Sequence, residues 1–266
     1  NLKRIKTFCL LHSKEINHDI GSSLNKRTIN STNKADYIIS NSNFTKKLAI
    51  KVGIDSSKIH VIFPGIQKPD KIENIYKLKA EKYFENSFPK IITVSRMDKR
   101  KGHDKILMLI KNLKPKFPKI KYISIGQGDE ESNLIKLSKE LKLDREVLFL
   151  KNINYDLKVA LIAESNLFLM PSRIEGKSVE GFGISFIEAA SYGIGSIGGK
   201  DGGASDAIVH KKTGLICDGN DLNSIYDSVV DFFKNENYVK YGKNAKEFSE
   251  KFHWNKVVKK YLELIN

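Results

Sequence analysis

The stretch Leu167-Phe168-Leu169-Met170-Pro171-Ser172-Arg173, and then Glu180-Gly181-Phe182-Gly183-Ile184-Ser185-Phe186-Ile187-Glu188-Ala189-Ala190, decides the fold. Four apolar residues stopped by Pro171 read as a short buried strand. Gly181 and Gly183 open a helix over residues 184–192, apolar enough to be well buried. Strand, loop and helix in that order form half of a βαβ unit, whose parallel strands are covered on both faces.

Working outward, the same alternation recurs. Apolar runs at 91–94, 121–125, 147–150, 195–198 and 214–217 read as strands. Helical patterns fall between or after them at 103–113, 131–141, 157–164 and 222–233. Upstream, strands are expected at 7–11, 37–40 and 60–63, with a helix within 22–33 and another over 46–52 ended by Gly53. Residues 66–88 are charged and hold a helix over 75–84, so the domain boundary belongs there. The reading is α/β, with residues 1–65 the end of one Rossmann-like domain and 66–245 a complete second one. A terminal helix within 246–266 packs back toward the first.

Composition narrows the function. No apolar run reaches the ~18 residues of a membrane helix. Cys9 and Cys217 read as free buried thiols, and no Cys/His cluster has metal-ligand spacing. The net charge of +15 invites a nucleic-acid partner. Yet Arg4, Arg27, Arg96, Arg100, Arg145 and Arg173 are the only arginines among 46 basic residues, and the lysines are spread along the chain. A solvated surface facing an anionic membrane fits better, with no specific nucleic acid.

In such a fold ligands sit at the carboxyl ends of the strands. After 91–94 the loop Ser95-Arg96-Met97-Asp98-Lys99-Arg100-Lys101-Gly102 sets two cations five apart, which suits a diphosphate and equally suits a basic surface loop. After 167–170, the glycines leave helix amides free to bind phosphate. Glu180 and Glu188 flank that turn, where carboxylates accept hydrogen bonds from sugar hydroxyls. Asp206 reads as a cap or turn residue and Trp254 as packing.

Glu180-x₇-Glu188 resembles the signature of family 4 retaining glycosyltransferases, which have the GT-B fold. Arg96-x₄-Lys101-Gly102, Gly126-x-Gly128, Pro171-Ser172-Arg173, Gly202-Gly203-Ala204, Thr213-Gly214-Leu215 and His253-Trp254 extend the resemblance over residues 7 to 262. It implies that Arg96 and Lys101 grip the donor diphosphate without a metal or other cofactor. Glu188 then binds the ribose, and Glu180 binds the donor sugar beside the amides of Phe182, Gly183 and Ile184. Gly126 would let backbone approach the nucleotide, and Asn152 and Ile153 would lie near the base. His12 resembles a histidine beside the reacting carbon, with Ser13 standing where glycine is usual.

The resemblance is nearest to bacterial mannosyltransferases acting on lipid-linked or envelope acceptors. It makes GDP-mannose the leading donor and a UDP-sugar the other, in an enzyme that is cytoplasmic and peripheral on the inner membrane face. It also implies about 100 residues of acceptor domain ahead of residue 7, so Asn1-Leu2-Lys3-Arg4 reads as cut. A sugar-nucleotide-binding module without turnover, or a basic nucleic-acid-binding protein, are the alternatives.

Overall fold

A computed structural model describes residues 5–265; Asn1 to Arg4, where the sequence reads as cut, and Asn266 lie outside the described residues. Two parallel sheets organise the chain. The first joins β1 (Phe8–Leu11), β2 (Tyr37–Ser40) and β3 (Ile59–Val61) in the order β1-β2-β3. Helices α1 (Ser23–Thr32) and α2 (Asn43–Lys51) make the crossovers. Ser22 and Ser42 cap them, each hydroxyl accepting the amide three residues on. Pairing with β2 carries on to Ile62, whose amide reaches the Ser40 carbonyl at 3.1 Å, and the strand expected over 60–63 ends ahead of Pro64.

Helix α3 (Asn74–Phe84) leads into the second, six-stranded sheet. Its strands are β4 (Lys90–Val94), β5 (Lys121–Ile125), β6 (Val147–Leu150), β7 (Leu167–Met170), β8 (Ser196–Gly199) and β9 (Gly214–Cys217). The order is β6-β5-β4-β7-β8-β9, all parallel. One face is covered by α4 (His103–Leu113), α5 (Glu131–Glu140) and α9 (Leu222–Phe233), which bury Ile106, Ile110, Leu134 and Phe232. The other carries α3, α6 (Tyr155–Glu164), α7 (Ile184–Ser191) and α8 (Ala204–Ala207), packed through Phe84, Leu161 and Phe186. Both faces being dry explains the unbroken apolar strands. Cys9 and Cys217 are free thiols, Cys217 buried.

The carboxyl terminus departs from expectation. Residues 246–249 complete α10 (Asn237–Ser249), a helix on the six-stranded unit, and the terminal helix α11 starts only at Trp254 and runs to Ile265. A 3-10 turn over Glu250–Phe252 and an extended His253 separate them. Helix α10 bears few buried apolar residues and so leaves a weak pattern. It packs closely because Gly242 lies against the Gly193 carbonyl, where a side chain would collide. Helix α11 lies on the three-stranded unit, with Val257 buried against Ile39 and Ile62, and with Tyr261 and Leu264 packed beside Phe8 and Tyr37.

The chain crosses between the units at Ile66 and again at His253, and the crossings are bonded together. The Ile66 amide donates to the Phe252 carbonyl at 2.8 Å, and the Trp254 amide to the Ile66 carbonyl at 3.1 Å. The Trp254 ring lies directly over Gly65.

Candidate active site

Strand order reverses between β4 and β7, so their carboxyl-terminal loops part above the sheet and leave a crevice. The two loops still touch at their roots. The Arg173 amide donates to the Arg100 carbonyl at 2.9 Å. Gly102, at φ +78°, has its missing side chain's space filled by the Pro171 carbonyl. Arg173 itself is held in place by Asp104 through a two-pronged pair of 2.9 and 3.0 Å. The Pro171-Ser172-Arg173 motif therefore fixes one loop to the next.

Glu180 joins the loop after β7 to the loop after β4. Its Oε2 accepts from Arg100 Nη1 at 2.9 Å and also from Lys101 Nζ. All three side chains are nearly buried, with 12%, 9% and 11% of their surface exposed. Burial alone would raise the Glu180 pKa, but the Lys101 and Arg100 charges outweigh it and hold the carboxyl below its usual range. Desolvation draws the Lys101 ammonium downward, against the opposing pull of Glu180.

Arg96 behaves differently. Its side chain is 72% exposed, with Asp98 3.4 Å away. Lys101 and Glu180 thus meet, Arg96 stands at the mouth, and Arg100 joins them. Nothing in the one-dimensional spacing distinguishes Arg100 from Lys99, so the sequence carries no sign of its place beside Glu180.

Gly183 adopts φ +85° at the start of α7, a conformation that favours glycine. No side chain caps this helix. The Phe186 amide donates to the Gly183 carbonyl at 3.0 Å, which leaves the Ile184 and Ser185 amides of the first turn without intrahelical acceptors, and the Ile184 side chain is exposed there. Phe182, expected to act through its amide, has a buried ring, 2% exposed, that stacks on Phe63 at 5.5 Å. Its side chain pins the two units together.

Glu188 is half-buried one turn into α7. It lines a crevice of about 110 Å³ with Tyr155, Lys158, Gln67 and Tyr192, and its carboxylate forms no hydrogen bond or ion pair among the described residues. Asn152 (φ +53°) and Ile153 lie in the loop before α6, whose cap Asn154 binds the Leu157 amide at 2.9 Å. At Gly126 a side chain would collide with the Ser95 carbonyl, so glycine permits the loops after β4 and β5 to approach each other.

His12, at the end of β1, is exposed, and its amide donates to Glu15. Ser13 holds φ +89°, the left-handed conformation for which glycine is suited, at a cost of about 1 kcal/mol. Gly181 lies directly against the His12 carbonyl, and a Cβ there would also come within 3.1 Å of the Asn41 side chain. The fold thus sets His12 next to the residue that follows Glu180, although the two are far apart in sequence.

Beneath the β4 loop lies a polar chain that the sequence did not announce. Thr93 Oγ1 donates to the Leu169 carbonyl, so it must accept from the Tyr122 hydroxyl at 3.1 Å. His103 Nδ1 lies 3.0 Å from the Tyr122 oxygen, and Nε2 lies 3.0 Å from Ser95 Oγ, whose own proton goes to the Arg96 carbonyl at 3.1 Å. Desolvation keeps His103 neutral and lowers its pKa to about 4.

Residues 74–248 match the family model described as "Glycosyl transferases group 1", which covers more than half of the chain. The chain belongs to this family. It is 28% identical over 205 residues to the GDP-mannose-dependent alpha-(1-6)-phosphatidylinositol monomannoside mannosyltransferase of Mycolicibacterium smegmatis, covering 75% of this chain and 53% of that one. It is 34% identical over 143 residues to the O-antigen biosynthesis glycosyltransferase WclY of Escherichia coli, covering 53% and 37%. The chain thus spans about half, or less, of the length of these relatives. In fold it is similar to Alr3699/HepE of Anabaena, solved in complex with UDP and glucose, with a TM-score of 0.83 at 20% identity over 97% of this chain and 71% of that one. The GT-B architecture of this glycosyltransferase family accounts for the paired parallel sheets and the crevice between them. Among the described residues no helix is long and apolar enough to cross a membrane.

Proposed function

We propose that this chain carries the donor site of a retaining glycosyltransferase that transfers a hexose, mannose first among the candidates, from a nucleoside diphosphate sugar to a cell-envelope glycan or lipid-linked acceptor. The observation that carries the reading is the buried Glu180–Lys101–Arg100 cluster at the point where strand order reverses, beside the uncapped start of α7 and next to His12.

Lys101, with Arg96 closing from the mouth, neutralises the departing diphosphate, a charge that these cations stabilise without a metal. The first-turn amides of α7 add partial positive charge. Glu188 receives the ribose hydroxyls and Glu180 the hydroxyls of the sugar. His12 lies on the face from which an acceptor would approach. The likeness to the GDP-mannose-dependent phosphatidylinositol monomannoside mannosyltransferase of M. smegmatis supports GDP-mannose and a lipid-linked acceptor, and that to the O-antigen glycosyltransferase of E. coli supports an envelope glycan. The HepE complex supports a UDP-sugar as the other donor. The lysine-rich surface supports a peripheral site at an anionic membrane.

Calorimetry with GDP-mannose, UDP-glucose and an ADP-sugar tests the donor, and transfer to a mannosylated lipid tests the reaction. Binding of one nucleotide sugar that is lost in Lys101→Ala and Glu188→Ala is expected. Full affinity and transfer retained in both variants would overturn the assignment.

A further inference from the structure

Glu180 serves two masters in the foregoing reading. In the structure its Oε2 is the shared counterion of Lys101 and Arg100, all three side chains nearly out of water. In the proposed reaction the same cations belong to the diphosphate and the same carboxylate to the sugar hydroxyls. Hydroxyls that donate to Oε1 draw on the same delocalised negative charge that holds the two cations at Oε2, so each set of contacts weakens the other.

We propose that Glu180 discriminates a sugar-bearing diphosphate from a bare one, acting as a specificity determinant that favours donor over product. This rests on the donor-site reading above. A hexose that donates hydrogen bonds to Glu180 draws the carboxylate away from Lys101 and Arg100, whose charge then falls on the diphosphate. Once the sugar has left, the carboxylate returns to the cations and competes directly with the nucleoside diphosphate for them. The site therefore grips the donor and loosens on the product through one side chain.

The electrostatics favour this exchange. A carboxylate buried with two cations is compensated only while they face each other, and removing one partner leaves charge in a medium that penalises it. Two uncompensated cations would then draw an anion strongly. Glu188 supplies a contrast, since its carboxylate forms no ion pair with Lys101 or Arg100 among the described residues and lines a cavity with Tyr155, Lys158 and Tyr192.

The test uses the full chain and three probes: inorganic pyrophosphate, GDP and UDP. Glu180→Gln keeps the shape and removes the charge, and should bind pyrophosphate at least tenfold more tightly than the wild type. Glu188→Gln should leave pyrophosphate binding unchanged while weakening GDP or UDP. Equal or weaker pyrophosphate binding by Glu180→Gln overturns the proposal. If the wild type binds neither GDP, UDP nor their sugars, the donor-site reading falls, and the proposal with it. Should Glu180→Gln not fold, the wild type decides. A free hexose from a panel of mannose, glucose, galactose and N-acetylglucosamine should tighten GDP or UDP at least threefold, by reciprocal coupling. No tightening by any of the four overturns the proposal.

Discussion

The carboxylate of Asp206 accepts the Asn43 amide at 2.8 Å and the Asn43 side-chain amide at 2.7 Å, so a residue of the six-stranded unit caps the first turn of a helix in the other unit. The cap reading made from sequence holds, but for a helix more than 160 residues away. Asp206→Ala should cost about 1 kcal/mol of stability, the usual value of a cap. Asp206→Asn should keep part of it. Denaturant unfolding of the three proteins measures the difference.

Gly181 meets the His12 carbonyl so closely that even one methyl group must part the units. Gly181→Ala is expected to destabilise by about 1–3 kcal/mol, the range for overpacking. Because the shift falls at the His12 side, transfer should drop further than donor affinity. Comparing kcat with the calorimetric Kd for the donor separates the two effects, and equal losses would contradict it.

Neutral His103 makes stability depend on acidity. Its pKa is about 4 folded against an ordinary 6.5, so between those values the unfolded chain binds the extra proton and stability falls as pH falls. Above pH 6.5 the contribution is constant. The full loss amounts to about 3 kcal/mol. His103→Gln should remove this component, so that the gap between variant and wild type narrows from pH 7 to pH 4.5. Unfolding curves at the two pH values would show a parallel decline if the reading is wrong.

Arg96 and Lys101 should separate binding from folding. Arg96 is mostly exposed, and Arg96→Ala should change stability by no more than about 0.5 kcal/mol while weakening the donor. Lys101→Ala removes a cation from the nearly buried Glu180 cluster and should lower both stability and donor affinity. A melting curve beside a donor titration for each variant is sufficient.

Gly65 lies under the Trp254 ring, and a methyl group there would press on the indole carbons. Gly65→Ala should destabilise the chain, and Trp254→Ala should relieve most of that loss in the double variant. A double-mutant cycle with additive losses would dismiss the contact as the cause.

The strands and most helices were legible because both faces of the second sheet are dry and the apolar runs are therefore unbroken. Glu180, Glu188 and Lys101 were legible from spacing around glycines that a phosphate-binding turn requires. Arg100 was not, since its role arises only when the loops after β4 and β7 come together. The partners of Gly126, Phe182 and Asp206 were not legible for the same reason: Ser95, Phe63 and Asn43 are distant in sequence. Helix α10 left little signal because it buries little beyond Tyr241, Gly242, Ala245 and Ser249.

The bonds that tie Ile66 to Phe252 and Trp254 have a mechanical meaning. Both passages of the chain from one unit to the other run side by side and are stitched into a single short ladder. That ladder binds the outgoing and returning passages to each other, so cutting either one would leave the other to hold the crossing alone.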